Sequence, residues 1–186
     1  MDLSTTTINS SLLSQYKVIR LCSYKGRTYT TAEGDAMYNF VTAGGKLLAD
    51  VPFTNDVPIS SKYGVSTIQG QNGGSSGLDW HYHGAPLTFG PISGPVGTLN
   101  SMACESMDRP VLISGHNLTI DAKIDNYPAI VHGTFGNGKV VLTFLAFWAH
   151  DATYPGNAYR ANIYQEQNLQ FLDNVSIFQL VFHQRL

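Results

Sequence analysis

Residues 30–53 decide the fold: Thr30-Thr-Ala-Glu-Gly-Asp-Ala-Met-Tyr-Asn-Phe-Val-Thr-Ala-Gly-Gly45, then Lys46-Leu-Leu-Ala-Asp-Val-Pro-Phe53. A threonine hydroxyl at 30 or 31 sits where helix N-caps sit, and Glu33 falls in the first turn. Met37, Phe40 and Val41 share one helical face, so the spacing predicts a helix over about 32–43. Gly44-Gly45 stops it, because glycine adopts the left-handed conformation of a helix C-terminus without steric cost. Lys46 to Phe53 then reads as a buried strand. Working outward, Tyr16-Lys-Val-Ile-Arg-Leu-Cys-Ser23 has the β-branched and aromatic content of another strand, and Ile8, Leu12 and Leu13 suggest a short helical turn before it. Strand, helix, Gly-Gly, strand is a βαβ unit, whose right-handed crossover implies a parallel sheet.

Residues 54–98 are rich in Gly, Pro, Ser and Asn, with Gly70, Gly73, Gly74 and Gly77 close together, and read as a long surface excursion. Order resumes at Pro128-Ala-Ile-Val-His-Gly-Thr-Phe135. A Gly136-Asn-Gly138 turn and Lys139-Val-Val-Leu-Thr-Phe-Leu-Ala-Phe147 then complete a β-hairpin. After a second polar loop at 151–164, Leu169, Leu172, Val175 and Phe178 recur at three- and four-residue spacings, the pattern of an amphipathic closing helix over 166–184. The whole chain, 1–186, reads as one α/β domain.

Composition narrows the function. Hydrophobic residues make up 43% of the 186, enough for a real core. Only 13% are charged, against about a quarter in an average domain. The net charge is −2 and no run of Lys or Arg occurs, so nucleic acid is a poor partner. No apolar stretch is long enough for a bilayer-spanning helix, so no membrane partner is expected. Low charge with much Ser, Thr, Asn, Gly and Tyr leans toward the outside of the cell, although residues 1–7 do not read as a signal peptide. Asn9, Asn117 and Asn174 each open an N-x-[ST] triplet, a glycosylation acceptor if the chain is secreted and a chance match otherwise. Cys22 and Cys104 can form one disulfide or remain free thiols, Cys22 as a buried one.

The order of these pieces resembles the class I glutamine amidotransferase-like superfamily. The resemblance rests on Leu12-Leu-Ser-Gln-Tyr-Lys-Val-Ile19, the helix ending Tyr38-Asn-Phe-Val-Thr-Ala-Gly-Gly45, Lys46-Leu-Leu-Ala49, Gly90-Pro91, the stretch 135–142, and a last helix with Asn168, Phe171 and Asn174. It covers about two thirds of the chain. The noncatalytic branches are the most similar, among them trehalose-utilisation-like domains and the amidotransferase-like domain of β-galactosidases. The implied fold is flavodoxin-like: an open, mostly parallel sheet with flanking helices and a β-hairpin. Two departures stand out. The family's sheet opens with two strands and a helix ahead of the strand corresponding to 16–23, so the domain reads as truncated, with 16–23 at an unprotected edge. Its active members also keep a nucleophilic cysteine at a Gly-flanked turn, whereas no Cys occurs between Asp50 and Asn100 here. Thr54 cannot replace it without a base and a strained elbow, so amidotransferase chemistry is not expected.

Two clusters can carry chemistry. In Asp79-Trp-His81-Tyr-His83 the alternate residues share one face of an extended chain, so Asp79, His81 and His83 can converge on a divalent metal, although histidines in a Gly-rich, aromatic loop more often face solvent or pack on the neighbouring rings. His150-Asp151 follows the long strand at the end where open α/β sheets place ligands. A histidine stands at the matching place in trehalose-utilisation-like relatives, which implies a catalytic role for His150, whereas a simple strand-end hydrogen bond is the plain alternative. Trp80, Tyr82, Trp148 and Tyr154 are loop aromatics of the kind that bind carbohydrate, a small molecule or a partner. His116 and His132 read as structural. The expectation is therefore a noncatalytic binding or assembly domain. It needs no cofactor, and it engages a second copy or another chain through the edge at 16–23. The rival is a hydrolase, metal-dependent or not, using the loop His and Asp residues.

Overall fold

Thr30 does cap the helix. Its hydroxyl accepts from the Glu33 N–H, and the Glu33 carboxylate accepts in return from the Thr30 N–H, the reciprocal pairing that satisfies two otherwise orphaned donors. The computed structural model describes residues 6–21, 27–51, 56–68, 82–86, 88–89, 101–104, 106–107, 109–124, 127–146 and 169–171. In it, helix α1 (Ser10–Leu13) precedes strand β1 (Val18–Leu21), helix α2 (Thr31–Thr42) and strand β2 (Lys46–Asp50). Gly44, at φ 114°, ends α2. β1 and β2 are parallel, with Val18 opposite Lys46, which is the βαβ unit expected from the spacing.

The 54–98 stretch is less loop-like than its composition suggests. It carries α3 (Val57–Ser60), a 3-10 turn (Ser61–Tyr63), β3 (Val65–Ile68), β4 (Tyr82–Pro86) and β5 (Thr88–Phe89). The glycines and prolines dominate its average, but Ile59, Tyr63 and Val65 are spaced to bury together, and all three do. Then follow β6 (Ser101–Cys104), β7 (Ser106–Met107), β8 (Arg109–Leu112), β9 (Leu118–Ile124), β10 (Tyr127–Phe135), β11 (Gly138–Thr143) and β12 (Leu145–Ala146). Of the expected closing helix, 169–171 are helical with Phe171 buried; its remaining residues lie outside those described.

The main sheet has the order β1-β2-β11-β10-β9-β5. β1, β2 and β11 are mutually parallel, and the later pairings are antiparallel. β9 therefore points the same way as the parallel trio, and four of six strands share one direction, a mixed, mostly parallel α/β sheet. The β10–β11 hairpin closes through Gly136-Asn137. Gly136 sits at φ 58°, the left-handed region that a two-residue hairpin turn demands. Gly138 has a different reason: a Cβ there would lie 2.0 Å from the Val41 carbonyl oxygen and 2.2 Å from that of Gly45. The hairpin thus docks directly on the C-terminal end of α2, and Asn137 N–H donates to Thr42 O at 3.0 Å.

Met37 and Val41 of α2 are buried with Leu47, Ala49, Val131, Val140 and Leu142 of the sheet in one core. Each large aliphatic side chain so buried contributes roughly 1.5–3 kcal/mol. Tyr38, Tyr63 and Phe135 extend the core as an aromatic trio, with centroids 5.0–6.1 Å apart in tilted and edge-on arrangements. No helix among the described residues is long and apolar enough to cross a membrane.

Candidate functional site

At the carboxyl ends of β2 and β11 two polar side chains meet in the interior. Thr143 and Asp50 face each other in register, and the Thr143 hydroxyl donates to Asp50 Oδ1 at 2.7 Å; both residues are buried. The Val51 N–H continues the ladder to Thr143 O at 2.8 Å. Open α/β sheets place ligands outside this end. The chain that follows β12 carries Trp148, His150, Asp151 and Tyr154, which lie outside the described residues, as do Asp79, Trp80 and His81. Tyr82 and His83 open β4, where Tyr82 stands opposite Cys104 of β6, and only their backbone is described. Among the described residues no three His, Cys, Asp or Glu side chains gather as a metal site.

A second polar pair escaped the reading of the sequence. Ile130 stands opposite Ala122 and Val131 opposite Ile120, so Asp121 is the extra residue of a β-bulge. The bulge turns its carboxyl into the interior, where Oδ2 lies 2.7 Å from His132 Nδ1. Burial pushes the Asp121 carboxyl up from its ordinary value, and the hydrogen bond and charge of His132 pull the other way without cancelling it. Asp121 Oδ1 has no hydrogen-bond partner among the described residues. His132 keeps about a quarter of its side chain in solvent, at 26%. A carboxylate that fixes an imidazole is the orienting half of an acid–base pair. No spacing in the sequence could have shown it, because the pair exists only through the bulged pairing of β9 with β10.

The third feature is the outer edge of β1. The Lys46 N–H donates to Lys17 O at 3.1 Å, so Lys17 presents its backbone to β2. Alternation along a parallel strand then points Ile19 to β2 as well, and turns the N–H and C=O of Val18 outward. No strand among the described residues pairs with β1 on that side. Tyr16 and Val18 stand 42% and 41% exposed, while Leu21 is buried. Beside the strand lies a mainly apolar hollow of about 250 Å³, bounded by Ile8, Leu13, Tyr16, Val18, Ile19 and Met37.

Glu33 holds the wall of this hollow in place. Its Oε1 accepts from the Ile8 N–H at 3.0 Å and from the Arg27 guanidinium, while Oε2 accepts from the Thr30 N–H at 2.9 Å. Burial alone would raise the Glu33 carboxyl, but the Ile8 and Thr30 N–H groups, the Arg27 charge and the Thr30 hydroxyl together set it below its ordinary value. One carboxylate therefore pins the segment leading into α1 against the start of α2.

No protein-family model matches the chain, and no curated protein matches it. Solved structures do match in fold. The cytoplasmic protein STM3548 from Salmonella typhimurium aligns over 95% of this chain and 76% of its own, with a TM-score of 0.60 and 13% identity. STM1381, a cytoplasmic protein from Salmonella typhimurium LT2, aligns over 96% and 76%, with a TM-score of 0.56 and 14% identity. The mmIFT52 N-terminal domain aligns over 94% and 79%, with a TM-score of 0.55 and 12% identity. At these identities the likeness is one of fold.

Proposed function

We propose that this chain is a noncatalytic, amidotransferase-like α/β domain used for binding or assembly, and that it engages its partner along β1. The observation that carries the reading is the outer edge of that strand: outward-facing backbone at Val18, exposed Tyr16 and Val18, and an apolar hollow directly beside them. An edge of this kind is a template for one more strand. The lack of a cysteine directly after β2 supports the same reading. No cysteine follows β2 before Asn100, and the carboxyl end of β2 is occupied by the buried Asp50–Thr143 hydrogen bond.

A hydrolysis screen tests the noncatalytic half. Purified protein is assayed against glutamine and simple esters beside His150→Ala and the double variant His81→Ala, His83→Ala, and the metal content of all three is measured. The expected result is no turnover above the variants and metal well below one ion per chain. Turnover abolished by His150→Ala would overturn the reading. So would one bound metal per chain that the double variant loses, since the loop histidines would then form the site of a metal-dependent hydrolase.

A further inference from the structure

We draw no further inference here: the strongest candidate, the Asp121–His132 pair at the β9 bulge, rests on one contact and a carboxyl raised by burial, and nothing among the described residues shows what it would bind.

Discussion

The two ends of the main sheet are built on opposite plans. At the β5 end Thr88 and Phe89 pair with Lys123 and Ala122 of a strand already bent by the bulge at Asp121. A bulge is one of the devices that keep a sheet from recruiting another chain. At the β1 end the described residues hold no bulge, although the exposed Lys17 and Arg20 flank Val18 and Ile19 there. The four residues pair with β2 without a register shift, and the side chains at the margin include Tyr16 and Val18. Among the described residues the sheet order therefore ends once beside a bulged strand and once in a regular pairing. The contrast is why the proposed docking edge is placed at β1, since a regular edge strand offers its backbone to another chain.

Perturbations that undermine both ends should have the largest effect. Gly138 lies at the centre of the sheet, where β11 meets α2, and Gly138→Ala would drive a Cβ into two carbonyl oxygens. A loss of about 2–4 kcal/mol is expected in urea unfolding, because backbone rather than a flexible side chain must move.

Next comes the β1 end alone. Glu33→Gln weakens the charge-assisted bonds that hold the Ile8 segment beside the hollow, and should cost about 1.5–3 kcal/mol. Its pH signature is specific. The folded carboxyl titrates below its ordinary value, so its contribution is present above the ordinary glutamate range and is lost as pH falls through the folded value. Thermal melts across the acid range should show the wild type losing this increment and Glu33→Gln showing none to lose.

The β5 end carries the opposite slope. Burial raises the Asp121 carboxyl, so this group costs the fold stability as pH rises from the ordinary aspartate value to the raised one. Asp121→Asn keeps the shape and removes the titration. A change of about 1 kcal/mol in overall stability and the disappearance of that slope are expected in the same melts. The smallest effect belongs to a pair remote from both ends. Lys62→Ala removes an exposed ion pair with Asp35 and should change stability by less than about 0.5 kcal/mol.

What the sequence disclosed and what it withheld divide along the same physical line. The Thr30 cap, α2, the Gly44-Gly45 stop, β2 and the Gly136 turn were legible because each is fixed by residues within one or two turns of chain. The position of β1 at the margin followed from a family resemblance, and among the described residues β1 ends the sheet order. Residues 57–68 were hidden by the glycine-rich composition around them. The pairs Asp121–His132 and Asp50–Thr143 join residues distant in sequence, through a bulge in one case and a parallel register in the other, and neither leaves a local mark. The loop cluster of Asp79, His81 and His83, together with His150, was suggested by residue type, and its arrangement lies outside the described residues.

Amide hydrogen exchange at Val18 and Ile19 tests the central claim, an outward-facing edge at β1, most directly. The two amides are neighbours in one strand, yet one points outward and the other toward β2. In the isolated chain exchange at Val18 should be fast and exchange at Ile19 slow. Equally strong protection of the two amides in the isolated chain would contradict the account.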